Sequence, residues 1–294
     1  MRIETRGLSR RFGKVAALTD VTLEIPSGGK IGLIGPNGSG KSTMTRILVG
    51  LLAYEGRVEM DGLSPRRDRG NLAGRIAYVP QVAPNLAAPV GELVAAIASF
   101  RRIAPVEVFR IGAQLDIDIA SLAEKPFRRL SGGMKQKILI ALALSARADC
   151  FIMDEPTASL DAQAREKFFR LFAERCAEKT VILCSHRLEE MRHLVDHVIV
   201  LDEGRSSYAG DADRYLAAHA LSTIQVRVAR DDAASWIREL GFARGAGDWW
   251  YRTVDQTEKN RLLPQLAEHL GDRVDNLHIR DLESISIDPE NGAS

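Results

Sequence analysis

The nine residues Gly35-Pro36-Asn37-Gly38-Ser39-Gly40-Lys41-Ser42-Thr43 constrain this chain more than any other stretch. They follow an apolar run at 31–34 and open a helical pattern that ends near Leu52. A buried strand therefore has to turn into a helix through a glycine-rich loop with the spacing GxxxxGKS/T, the setting that gives this motif its meaning. The physical demand is specific. Backbone N–H groups must approach phosphate oxygens closely, and a Cβ at the glycines would stand in the way. The helix N-terminus adds donors and a favourable partial charge. Residues Gly35 to Thr43 are thus expected to cradle a polyphosphate, with the Lys41 ammonium on the β- and γ-phosphates and the Ser42 hydroxyl on Mg²⁺.

A second element supports the first. Cys150-Phe151-Ile152-Met153 is an unbroken apolar run ending in Asp154 and Glu155. Asp154 is expected to hold the Mg²⁺ shell, and Glu155 to polarise the water that attacks the γ-phosphate, a general-base role. Taken alone, two acids closing a strand more often begin a solvated loop. Beside the phosphate loop, the functional reading prevails. Further unbroken apolar runs at 181–184 and 198–201 read as strands covered on both faces, alternating with helical patterns in an α/β layer architecture.

Between these elements lies Leu130-Ser131-Gly132-Gly133-Met134-Lys135-Gln136. Here the chain resembles the ATP-binding subunits of ABC transporters, whose signature is LSGGQ. Met134 stands where the family most often has Gln, and Gln136 follows two places later. Physically the segment is another helix start, with Ser131 as cap and two glycines permitting close approach. The resemblance covers roughly residues 1–215 and runs through further markers in order. Phe12 sits where the family stacks an aromatic ring on adenine. Gln81 matches a glutamine that contacts Mg²⁺ and relays the ATP state to the membrane subunit. Asp161, in Ser159-Leu160-Asp161, matches the loop that crosses the dimer interface, and His186 matches a switch histidine on the γ-phosphate. Singly, a Gln or His after a strand is usually a polar cap and a Phe is usually core; their order and spacing make them a set.

The resemblance implies an α/β fold: a P-loop NTPase core with an ABC helical subdomain at about 82–130, plus a small C-terminal α+β domain. It implies ATP and Mg²⁺ as cofactors, with Glu155, His186, Lys41 and Gln81 in catalysis and Ser42, Gln81 and Asp154 at the metal. Ser131, Gly132, Gly133 and Asp161 are expected to meet ATP held by a second ATPase subunit, so that two copies sandwich two ATP molecules. The other implied partner is a polytopic membrane permease that docks on the helical subdomain, where the pattern at 90–102 and the prolines Pro84 and Pro89 suggest a coupling surface.

Composition then bounds the remainder. The 294 residues carry 40 basic and 39 acidic side chains, a net charge of +1 that argues against a general nucleic-acid partner. No stretch reaches the ~18 apolar residues of a membrane span, the first residues lack a secretory signal, and Cys150, Cys176 and Cys184 form no metal-ligand pair. The expected location is cytoplasmic, peripheral on the inner face of the cell membrane through the permease. From Leu221 onward there are 9 basic against 13 acidic residues, a net of −4, which places a boundary at Ala217–Ala220 and gives domains of 1–218 and 219–294. The second domain reads as strand–helix–strand–helix–strand, with Gly241 closing its first helix and Pro264 inside its second. Trp236, Trp249, Trp250 and Tyr251 suit a small core better than a partner-binding face. This module, with Leu282-Glu283 near its end, resembles the C-terminal extension of exporter ATPases. Export is therefore the expected direction; an importer ATPase and a non-transport ABC ATPase are the alternatives.

Overall fold

The computed structural model describes residues 1–185, 194–219, 221–228, 231–245, 247–270 and 274–281. They fall into two compact units, one of 1–185 with 194–212 and one beginning at 213. In the first, β1 (Ile3–Phe12) and β2 (Val15–Ile25) form an antiparallel hairpin. β3 (Lys30–Ile34) leads through the phosphate loop into α1 (Lys41–Leu48), and β4 (Glu55–Met60) returns to pair with β1. The result is a three-stranded antiparallel sheet in the order β2-β1-β4.

The chain continues through α2 (Arg69–Ala73) and β5 (Ile76–Val79) into a helical stretch, α3 (Val90–Arg101) and α4 (Pro105–Gln114). α5 (Gly132–Leu144), β6 (Cys150–Asp154), α6 (Ala162–Arg175), β7 (Thr180–Cys184), β8 (His197–Asp202) and β9 (Arg205–Asp211) follow. A six-stranded sheet runs β5-β6-β7-β3-β8-β9, parallel up to the antiparallel edge strand β9. Its inner strands are buried along nearly their whole length, as their unbroken apolar sequences require. α5 is apolar on nearly every side and is buried accordingly, with Ile138, Ile140, Ala141 and Leu142 in the core. Two ion pairs tie the helical stretch to α6: Lys167 with Asp116, and Arg175 with Glu107 at 3.0 Å. Each is partly exposed and contributes at most about 1 kcal/mol.

The second unit begins inside α7 (Ala212–His219). It comprises β10 (Leu221–Val228), α8 (Asp231–Glu239), β11 (Ala243–Arg244), β12 (Trp249–Asp255), α9 (Gln256–Leu270) and β13 (Val274–Asp281). The order βαββαβ with an antiparallel sheet β11-β12-β10-β13 is a ferredoxin-like split βαβ plait. The sequence pattern foresees three of these strands; the fourth, β11, is two residues long, too short for any alternation to show. Ile224, Val226, Ile237, Phe242, Trp250, Val254, Leu262 and Leu266 form its core. Trp250 belongs to that core, Trp236 packs against it, and Tyr251 is exposed. Helix α9 runs through Pro264, which sits on its exposed side. Leu282-Glu283 and the tail after it lie outside the described residues.

Candidate functional site

The parallel strands deliver the site at their carboxyl ends, where open α/β sheets bind ligands. The phosphate loop leaves β3, Asp154 and Glu155 end β6, and Gln81 follows β5. β7 ends at Cys184, two residues short of His186, which lies outside the described residues. One cleft of about 170 Å³ is lined by Asn37, Gly38, Gly40, Lys41, Ser42, Thr43, Gln81, Asp154 and Glu155. Two elements more than a hundred residues apart in sequence are thus brought together.

Lys41 is buried, and its ammonium donates to the carbonyls of Gly35 at 2.6 Å and Pro36 at 2.9 Å. A lysine ammonium has three donors, so one remains for a ligand. Asp154 is also buried, and its Oδ2 has no hydrogen-bond partner among the described residues. Burial pushes its carboxyl above the usual range, while a hydrogen bond from Ser42 and the charges of Arg46 and Lys41 pull it back. Glu155 is 7% exposed and adopts φ 49°, in the left-handed region that side chains with a Cβ rarely enter. Its N–H donates to the Cys184 carbonyl at 2.9 Å, which ties the residue to the neighbouring strand.

The other expected residues lie elsewhere. Gly35, Pro36 and Ser39 shape the loop from behind: Ser39 is buried, and its N–H donates to the Pro36 carbonyl at 3.2 Å. A Cβ on Gly35, whose φ is 150°, would overlap the Leu201 carbonyl oxygen of β8 and come within 2.6 Å of Ser39 Oγ. Gly35→Ala should therefore cost about 3 kcal/mol of stability. For a unit of this size that lowers Tm by about 6–12 °C in a thermal melt. An unchanged Tm would mean that β8 yields to the methyl.

Phe12 does not line the cleft. Phe12 is 45% exposed, with the Arg10 guanidinium 4.7 Å from its ring centroid. Sequence reasoning passed over Arg10, although alternation along a strand puts residues two apart on one face. Ser131, Gly133 and Asp161 line a second, separate cleft of about 460 Å³ with Asp116, Asp118, Met134 and Lys137. Gly132 begins α5 beside it, and Ser131 Oγ accepts from the Met134 N–H at 3.2 Å as its cap. Asp161 caps α6 by accepting from the Ala164 N–H at 2.8 Å, and that bond holds its carboxyl below the usual range. Lys137 could have been found from its place one helical turn beyond Met134; Asp116 and Asp118 carry no such signal.

The first cleft fits a Mg²⁺-bound triphosphate. It offers a partnerless buried carboxylate oxygen beside a hydroxyl, a spare ammonium donor, and open space over Gly38, where an added Cβ would meet nothing within 4 Å. No helix of the described residues is long and apolar enough to cross a membrane.

A family model described as ABC transporter matches residues 18–158. The chain is 33% identical over 230 residues to the sulfate/thiosulfate import ATP-binding protein of Yersinia pseudotuberculosis serotype I, covering 72% of this chain and 61% of that one. It thus spans under two thirds of that relative's length. It is 31% identical over 237 residues to the Nod factor export ATP-binding protein I of Ralstonia nicotianae, covering 78% of this chain and 73% of that one. Among solved structures, an ATP-binding subunit of an ABC transporter superposes with a TM-score of 0.66 at 25% identity, covering 74% of this chain and 92% of that one. The chain belongs to the ABC transporter family and carries its ATP-binding domain.

Proposed function

We propose that the chain is the ATP-hydrolysing subunit of a transporter whose membrane-spanning part is a separate permease, and that it works as a pair of such subunits. The observation that carries the reading is the single cleft joining Lys41, Ser42, Asp154, Glu155 and Gln81. Lys41 and the loop N–H groups hold the β- and γ-phosphates; Ser42, Asp154 and Gln81 would hold Mg²⁺, which would supply charge neutralisation at the phosphate oxygens. Glu155 orients a water and accepts its proton, and the resemblance to the family assigns the γ-phosphate to His186. Because phosphoryl transfer needs positioning and electrostatic stabilisation above all, this set is sufficient chemistry. Phe12 stacks on adenine with Arg10 behind it. Ser131 and Gly133 of the signature, with Asp161, face a cleft of their own, Gly132 lies beside it, and in a head-to-tail pair they close over the partner's ATP.

The direction we propose is export. The exporter relative aligns over 78% of this chain, further than the importer relative does, and the second unit is a compact plait. Import is the second reading, favoured by the 33% identity to the sulfate/thiosulfate importer. The permease places the subunit on the inner face of the cell membrane.

The test is a pull-down of the tagged chain from detergent-solubilised membranes, followed by phosphate release from Mg-ATP. A co-purifying polytopic membrane protein together with phosphate release is the expected result. Ribosomes or nucleic acid in its place would sink the transporter reading, and no phosphate release would sink the ATPase. Reconstituted in vesicles with that permease, an exporter moves cargo away from the ATP-facing side.

A further inference from the structure

Glu155 stands in a doubly unfavourable backbone position. Its φ of 49° is left-handed, and it precedes Pro156, whose ring crowds the backbone of the residue before it. Such a conformation persists where neighbours over-determine it. At Glu155 itself the N–H donates to the Cys184 carbonyl and the carbonyl accepts from the Ala158 N–H at 3.3 Å. A further restraint, on the next residue, comes from α5: Gln136 is 3% exposed, and its Nε2 donates to the Pro156 carbonyl at 3.0 Å. An apolar helix has no need of a buried amide there, and an amide buried without a partner is costly, so the bond makes Gln136 specific to its site.

Gln136 lies little more than one turn from the start of the same helix. There Ser131 and Gly133 face the second cleft, and a Cβ on Gly133 would come within 3.0 Å of the Ser159 carbonyl. The helix start is thus seated against the loop that follows Glu155. Resting on the function proposed above, we infer that Gln136 is a positioning residue: it holds Glu155 in its left-handed conformation and ties that conformation to the seating of the signature helix, so that a ligand on the signature face adjusts the base of the subunit's own site.

The test uses the full chain carrying Gln136→Leu, with Gln136→Glu as a second variant of equal size that replaces the donor by an acceptor. Three readouts are taken: binding of a fluorescent ATP analogue, steady-state hydrolysis, and dimer mass with and without ATP by light scattering. The expected result is a 10- to 100-fold fall in kcat with KM and analogue affinity within about twofold. The ATP-bound dimer should accumulate, because the site closes while the base is misplaced. Loss of nucleotide binding or of the ATP-dependent dimer along with turnover would reduce Gln136 to packing of α5 and overturn the inference. Unchanged kcat would also overturn it. Failure of the unsubstituted chain to hydrolyse ATP would instead strike the functional reading beneath it.

Discussion

Glu155→Gln is expected to leave a protein that folds, binds ATP and assembles into a stable ATP-dependent dimer, while hydrolysis falls by about 10²–10⁴-fold, the contribution typical of a positioned general base. Each part has a physical source. The substitution keeps the side chain's size, and the residue's left-handed φ of 49° and its N–H bond to the Cys184 carbonyl are backbone features that Gln shares with Glu. The groups of the same cleft proposed to hold the phosphates and Mg²⁺, Lys41, Ser42 and Asp154, are untouched. An amide cannot accept the water's proton, so the closed state is no longer consumed. Removing one negative charge from a cleft that takes up a triphosphate also lowers like-charge repulsion, so ATP affinity should rise rather than fall. Phosphate release in steady state, paired with dimer mass in ATP, checks both halves. Turnover close to that of the unsubstituted chain would remove Glu155 from the base role.

That this experiment could be designed from sequence reflects how local the signals are. The phosphate loop and the Asp154-Glu155 pair announce themselves because neighbours in sequence fix the geometry: a strand, a tight glycine turn and a helix start, or a strand that runs out into two carboxylates. The inner parallel strands are legible for a related reason, since burial on both faces leaves unbroken apolar runs such as 150–153 and 181–184. The antiparallel sheet of β1, β2 and β4 is not legible in that way. Its strands mix buried and exposed positions, carry Arg6, Arg10, Arg11 and Arg57, and break register at bulges, so no alternation persists long enough to count. Nor could sequence reveal that Gln136 reaches Pro156, twenty residues away, or that Glu155 is left-handed. Those depend on how α5 lies against the end of β6, a tertiary fact with no local signature.

Lys41→Ala is the second large effect, and it separates binding from stability. In the structure the ammonium caps two carbonyls of its own loop, at 2.6 and 2.9 Å, so its removal has consequences even without nucleotide. The lost bonds are charge-assisted, worth about 1.5–3 kcal/mol each at most. Against this, the variant no longer keeps a cation at a buried position, and that desolvation term has the opposite sign. The two largely offset, so Tm of the nucleotide-free protein should move by only a few degrees. Binding has no such compensation. On the proposed binding mode the β- and γ-phosphates lose the one lysine that lines the cleft among the described residues, and affinity should fall by about 100-fold or more. At ATP 100-fold above the original Kd, ligand linkage stabilises the folded chain by about 2.7 kcal/mol, which is a thermal shift of about 5–10 °C for a protein of this size. In Lys41→Ala that shift should nearly vanish at the same ATP concentration. Arg at this position should not restore it, because the planar guanidinium cannot replace a compact ammonium between two carbonyls and a phosphate. A Lys41→Ala protein that keeps the full ATP-induced shift would mean that the loop N–H groups alone hold the phosphates, and that Lys41 serves the loop rather than the ligand.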